Sequence, residues 1–357
     1  MKKVRYAVVG TGYISQDAFM PSVDGTGNSC MTAIISGNPE GAKKLADFYG
    51  IAHVYDYSEY DAALASGNFD AVYIALPNSM HAEYTIRAAR HGIHAMVEKP
   101  LAISAQECRE MIEAAHENNT ALMTAYRLHC VPVMIEPIKL IQEGAIGEVN
   151  YIMSALSVKI PQDNHRWQAK HWGGPLQDLG VYCLNAARNI FGEEPIEAIA
   201  ISEDRSIDPT REIDETISVI LSFSNGRIAS FTSSFSSADK DVLLIVGSEG
   251  EIEVTPAFRA EAPITAKLTK NGKVTEIEMQ DTDHFGSQTA YFSDCILTGK
   301  RVKPDGAEGL ADVIAMEAIE RATQTGQVQK IENDHQVNAP DQSMFTYVAR
   351  TDRRLYL

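Results

Sequence analysis

The chain has 357 residues, 45% of them apolar and 22% charged, with a formal net charge of −17. That is longer than one hydrophobic core usually serves, so two domains are expected. The acidic balance opposes nucleic acid and anionic membranes and leaves a small molecule as the partner. Cys30, Cys108, Cys130, Cys183 and Cys295 are scattered without a Cys-x-x-Cys, which fits a reducing compartment, and no apolar stretch is long enough for a bilayer. The opening "MKKVRYAVVG" carries positive charges, but its apolar run is short and ends in glycine, so it reads as a first strand and not as a signal peptide. A cytoplasmic location is expected.

Through residue 126 short apolar runs alternate with helix-period segments. Strands are expected at 4–10, 31–37, 70–77, 94–98 and 121–126. The clearest helix starts after Ser104, where Ser104 and Glu107 make an S-x-x-E capping box and Cys108, Met111, Ile112 and Ala115 form one stripe. Strand-helix alternation implies right-handed crossovers and a parallel sheet covered on both faces. Residues 1–126 are therefore read as an α/β Rossmann domain, a doubly wound parallel sheet.

After Tyr126 the pattern changes. A helix-like stretch, "VMIEPIKLIQEG", leads to a long strand, "VNYIMSALSV", and then to a loop rich in Trp, His and Gly. A helix from Asp178 to Ile190 closes at Gly192. Strands dominate from Glu197 to Met279, with Asn225-Gly226 and Asn271-Gly272 as type I′ hairpin signals. Two more helices, at 287–298 and 308–324, precede a polar tail. Residues 127–330 thus read as an α+β domain with a large, mostly antiparallel open sheet for substrate binding and oligomerisation, and 331–357 as a tail over the body.

Gly10 and Gly12 follow the first strand directly, with Ser15 where a third glycine would stand and Tyr13 and Ile14 between. In this turn the first glycine permits the tight bend and the second lets backbone approach a pyrophosphate. The third position needs only a small residue. An NAD-specific site usually places a carboxylate about 20 residues on. Here the second strand ends in Ser36, Gly37 and Asn38, with Lys43 and Lys44 following, so NADP is expected over NAD. The plainer reading of the lysines is a solvated helix face.

In a parallel sheet Leu76, Pro77, Asn78, Glu98 and Lys99 emerge at the same edge as Gly10, which is where such folds bind ligands. Here the residues carry a resemblance. "GTGYIS", "ALPNSMHAEYTIRAARHGIHAMVEKPLA", "AYRLHC" and "GGPLQDLGVYCLNAARNIFGEEPIEA" together resemble the glucose-fructose oxidoreductase and inositol dehydrogenase family, most of all its glucose-fructose oxidoreductase branch. The resemblance covers about residues 4 to 330. It implies an active-site role for Lys99 and often a cis bond before Pro100, which only an X-Pro bond tolerates cheaply.

The same resemblance gives Tyr182 the part that histidine takes in many members. Tyr182 and Asp178 are four apart on one helix face. Tyr182 is expected to exchange the proton of a sugar hydroxyl while the nicotinamide exchanges hydride, with Asp178 orienting substrate or lysine. A phenol titrates near pH 10, so a neighbouring ammonium such as Lys99 would favour the phenolate. The plain alternative is a core aromatic. Arg127 is expected to reach cofactor and substrate, or with His129 to bridge domains. Asn78 and His81 are expected near the nicotinamide, and Trp167 or Trp172 on a sugar face. No metal is expected.

These readings converge on an NADP-preferring oxidoreductase acting on a sugar or related cyclic polyol, as a homodimer or homotetramer because the second sheet leaves a face to cover. Two alternatives belong to other classes: a glycoside hydrolase using NAD for transient oxidation, and a cofactor-sensing regulatory protein without catalysis. The presence of both Lys99 and Tyr182 speaks against a sensor.

Overall fold

Apolar stripes decide which segments share a core, and they do so across the order of the chain. In the computed structural model, which describes residues 2–203, 212–260 and 263–357, the chain divides into two compact units. One comprises Met1–Val131, Thr282–Gly309 and Ser343–Leu357, and the other Pro132–Asp281 and Leu310–Gln342. The division expected at 126/127 and 330/331 is contiguous, whereas the first unit also gathers Thr282–Gly309 and Ser343–Leu357. The helix His284–Thr298 returns to the first unit because its Tyr291, Phe292 and Cys295 are buried in one cluster with Tyr6, Phe19, Met20 and Met344.

The first unit holds a six-stranded, all-parallel sheet in the order β3-β2-β1-β4-β5-β6. The strands are β1 (Val4–Val9), β2 (Ser29–Ile35), β3 (His53–Tyr55), β4 (Ala71–Ile74), β5 (His94–Val97) and β6 (Leu122–Thr124). Five of them answer the expected strands. β3 was not anticipated, because three half-exposed edge residues show no period. Strand order reverses at β1, which pairs with both β2 and β4, and ligand crevices of such sheets lie at that switch.

The helix Ala105–Glu117 is capped as its sequence requires: the Ser104 hydroxyl accepts from Glu107 N at 3.2 Å. The reciprocal half of the expected box is displaced by one residue, since Glu107 Oε2 accepts from Ile103 N at 3.4 Å.

The second unit is built on a nine-stranded sheet in the order β14-β13-β12-β11-β7-β10-β9-β8-β15. At its centre β7 (Val149–Ser157) runs parallel to β10 (Ile228–Ser234) and antiparallel to β11 (Lys240–Gly247), and among the described residues its other strand pairs are antiparallel. Both Asn-Gly hairpins form. Asn271 and Gly272 have φ of 52° and 74°, and Asn225 and Gly226 have 57° and 75°, the left-handed pair a type I′ turn needs.

The helical run Leu176–Gly180 and Val181–Phe191 ends at Gly192 with φ 68°, as expected. Its last turn is fixed by charge. Arg188, fully buried, donates to Asp312 Oδ1 at 2.6 Å and to both carboxylate oxygens of Glu194 at 2.7 Å, while Asn185 Nδ2 donates to Asp312 Oδ2 at 2.8 Å. Removing one partner of such a buried pair strands the other. Asp312→Ala is expected to cost about 3–5 kcal/mol in urea unfolding, and Arg188→Met with Asp312→Leu much less. Equal losses in the single and double variants would show that packing, not charge, sets the effect.

Candidate active site

The turn after β1 is shaped by a collision that only glycine avoids. Gly10 has φ 93°, and a Cβ there would lie 2.5 Å from the Ala75 carbonyl oxygen, so the turn lies against the end of β4. A Cβ on Gly12 would meet nothing within 4 Å, which leaves the outer side of the turn open. Ser15, in the third-glycine place, is buried and donates its hydroxyl to Gly10 O at 2.7 Å. The serine therefore closes the turn that glycine would only permit. Tyr13 is exposed and Ile14 half-buried beside it.

At the end of β2 Ser36 and Asn38 make local hydrogen bonds. Ser36 is buried, shares a hydrogen bond with Thr11 Oγ1 at 2.7 Å and accepts from Asn38 N at 3.2 Å. Asn38 caps the helix Pro39–Tyr49 by accepting from Gly41 N at 3.0 Å. Gly37 is needed for close approach, since a Cβ would lie 3.0 Å from the Tyr57 ring. Lys43 is exposed on the helix. No carboxylate stands at Ser36-Gly37-Asn38.

One imidazole lies between the carbonyls at the ends of β4 and β5. His81 is fully buried, with Nε2 at 2.9 Å from Leu76 O and Nδ1 at 3.0 Å from Pro100 O. Both nitrogens face carbonyls, and burial lowers its pKa, so one tautomer donates to one of them. His81 therefore donates to one strand end and faces the other, at the edge where a nicotinamide contact was expected of it. Pro77 and Asn78 are half-buried beside it, and the Lys99-Pro100 bond is cis.

Glu98 is the carboxylate this edge must stabilise. Burial raises its pKa, and Lys99, the Tyr73 hydroxyl and Arg127 oppose that rise. Tyr73 donates to Glu98 Oε1 at 2.5 Å, from a ring stacked on Phe19 at 3.8 Å. The charge of Lys99 thus opposes the rise that burial imposes on Glu98. Arg127 is buried, donates to His284 Nδ1 at 2.9 Å and lies over the Phe285 ring. Guanidinium has no acceptor, so His284 is neutral with its proton on Nε2, and burial with Arg127 holds its pKa well below the ordinary value. Tyr73 and His284 escaped the sequence reading: a strand tyrosine in "DAVYIALP" and a helix-start histidine carry no local signal of their partners.

In the second unit Asp178 and Tyr182 fall on one helical run, as their spacing requires. Asp178 Oδ2 lies 3.3 Å from Arg166 Nε, a partner from the preceding loop that sequence reasoning did not single out. Tyr182 is half-buried, its ring 6.4 Å from that of Phe258. Trp167 is turned edge-on to Phe235 at 5.1 Å and donates to Ile160 O at 3.3 Å. Trp172, at φ 51°, donates to Glu320 Oε1 at 2.8 Å. Both indoles shape the loop with their N–H groups. Among the described residues no group of His, Cys, Asp and Glu is arranged to hold a metal.

Gly10, Gly12 and Ser15 fit a dinucleotide: the turn is tight, its outer side is clear, and Asp17, in the helical turn that follows, is bonded to Arg354. A family model described as an oxidoreductase family with an NAD-binding Rossmann fold matches residues 4–126, and the model of the GFO/IDH/MocA C-terminal domain matches residues 138–253. The aldose-aldose oxidoreductase of Caulobacter crescentus, solved with glycerol, is similar over 92% of this chain and 100% of its own, at 34% identity and a TM-score of 0.88. The D-xylose 1-dehydrogenase [NADP(+)] of Haloarcula marismortui is 29% identical over 333 residues, 90% of this chain and 91% of that one. The scyllo-inositol 2-dehydrogenase (NADP(+)) of Bacillus subtilis is 34% identical over 197 residues, 53% and 58% of the two chains.

Two variants test this geometry. Gly10→Ala forces the turn away from Ala75 and is expected to weaken dinucleotide binding at least about a hundredfold by fluorescence titration, because both φ and space exclude a side chain. Tyr73→Phe removes a donor that opposes the burial-driven rise of the Glu98 pKa, which then rises further. A raised carboxyl pKa costs stability only once the group ionises, so the penalty should be small at pH 4 and grow to about 1.5–3 kcal/mol at pH 8. Thermal unfolding at the two pH values reads it, and an equal penalty at both would exclude the ionised carboxylate as acceptor.

Proposed function

The chain belongs to the GFO/IDH/MocA family of NAD(P)-dependent oxidoreductases, and from that premise we propose that it transfers hydride between NADP and a sugar, an aldose or related cyclic polyol. The observation that carries this reading is the end-to-end likeness to the Caulobacter aldose-aldose oxidoreductase together with Lys99, Asp178 and Tyr182.

The bound nicotinamide supplies the hydride acceptor or donor. Tyr182 takes the hydroxyl proton as the carbinol is oxidised and returns it on reduction. Lys99 stabilises the charge on that oxygen, and Glu98, held by Tyr73, sits beside the ammonium. Asp178, paired with Arg166, orients the substrate. The preference for NADP rests on Ser36, Gly37 and Asn38 standing where a carboxylate would repel a 2′-phosphate, with Lys43 as the nearby cation.

Assembly follows from the outer face of the second sheet. Tyr151, Met153, Ile199, Ile201, Ile220 and Ile228 are all exposed there, and Ile220 stands opposite Ile199 and Ile228 opposite Tyr151 in register. An apolar stripe of this kind is covered by a second copy, giving a homodimer or homotetramer. Among the described residues no helix is long and apolar enough to cross a membrane, and no disulfide links the cysteines, which supports a cytoplasmic enzyme.

The test is the mass and spectrum of nucleotide released by acid, then absorbance at 340 nm with an aldose panel. Reduction by an aldose and reoxidation by a second sugar supports the reading, and no response with added NADP or NAD overturns it. Tyr182→Phe should lower kcat about 10²–10⁴-fold while NADPH affinity stays within about twofold. Ile201→Glu with Ile220→Glu should reduce the sedimentation mass to that of one chain, and an unchanged mass would move the interface elsewhere.

A further inference from the structure

The end of the chain is bonded to the dinucleotide turn. Val348 is buried and anchors the segment, exchanging hydrogen bonds with Thr282 at 3.0 Å in both directions. Arg353 follows, donating to Phe48 O at 2.7 Å with its guanidinium over the Phe48 and Tyr49 rings. The last four residues then reach the helical turn Ser15–Phe19. Arg354 Nη1 lies 3.2 Å from Asp17 Oδ1, the Tyr356 hydroxyl donates to the same oxygen, and Leu357 N donates to Gln16 Oε1 at 2.8 Å. The Tyr356 ring stacks on Tyr13, centroids 6.3 Å apart and planes 22° apart.

These contacts continue into the site. Gln16 Nε2 donates to Thr11 O at 2.6 Å, between the two glycines, and Thr11 Oγ1 shares its hydrogen bond with Ser36 at 2.7 Å. A chain of bonds therefore runs from Leu357 through Gln16 to the turn and on to the end of β2. Asp17 makes this coupling strong. Its side chain is only 9% exposed, and both bonds found for it come from Arg354 and Tyr356. If the tail left, the Asp17 carboxylate would lose both and be met by water in their place. The outer pair is different: Tyr13 and Tyr356 are 63% and 53% exposed, so parting them uncovers little new apolar surface. That combination suits a fastening that holds yet reopens.

We propose that Arg354, Tyr356 and Leu357 form a strap that positions the Gly10–Tyr13 turn and sets the rate at which the dinucleotide leaves. A turn held in its binding shape loses less freedom when it closes on a pyrophosphate, and opening it for release requires the strap to part. The inference rests on dinucleotide binding by the first unit and not on which substrate is oxidised. These are positioning residues: their loss should act on cofactor release and leave the KM for sugar unchanged.

Release of NADPH from the full chain, or of NADH if the wild type binds that instead, is followed by stopped-flow displacement in Arg354→Ala/Tyr356→Ala. About tenfold faster release is expected, the loss of roughly one charge-assisted hydrogen bond appearing in the off-rate. Tyr356→Phe keeps the ring stack and removes one bond to Asp17, and should accelerate release about threefold, which covers the case of a double variant that fails to fold. Release within about twofold of wild type in a folded variant overturns the strap. A wild type that binds neither nucleotide overturns the strap and the dinucleotide reading together, whereas faster release without sugar turnover leaves the strap standing and removes only the sugar.

Discussion

Much of the first unit depends on how closely residue 10 approaches the neighbouring strand. With no side chain at Gly10 the turn after β1 lies against Ala75, where any Cβ would come within 2.5 Å of a carbonyl oxygen. That approach puts the turn beside the end of β4 and therefore beside Leu76, whose carbonyl faces His81. Through the other His81 nitrogen it reaches Pro100 and the Glu98-Lys99 pair. A single steric condition thus propagates through parallel register into the geometry of the whole edge.

Charge at that edge is handled by distribution. Glu98 is buried enough for its ionisation to be resisted, yet it has a tyrosine donor, a lysine and an arginine around it. Arg127 in turn is met by a histidine that burial keeps neutral, so that the arginine gains an acceptor without a second negative charge. The second unit solves the same problem differently, matching Arg188 with two carboxylates. Buried charge is costly in both places, and each ion is met by hydrogen bonds with specific geometry.

How much was legible in the sequence follows the range of the interactions concerned. Gly10, Gly12, Ser104, Asn271-Gly272 and Gly192 announce themselves because each answers a local backbone requirement. Asp178 and Tyr182 share a face by helical spacing alone, and family resemblance, not periodicity, singled them out. The expected roles of His81, Ser36 and Asn38 were read from position along the strand edge. Within the chain their side chains meet Leu76, Pro100, Thr11 and Gly41, contacts that position along an edge does not reveal. Tyr73, Arg166 and His284 went unnoticed because their partners are distant in the chain or on another element.

The sequence by itself determined the parallel sheet, the dinucleotide turn, the hairpins and the helix ends, since backbone conformation and hydrophobic period are properties of a few adjacent residues. Tertiary structure alone decided that residues 282–309 and 343–357 complete the first unit, that His81 lies between Leu76 and Pro100, and that Asp17 is met by Arg354 and Tyr356. Those outcomes depend on which apolar stripe finds room in which core and which buried polar atom lies within 3 Å of another. Such distances are set only when segments hundreds of residues apart have packed.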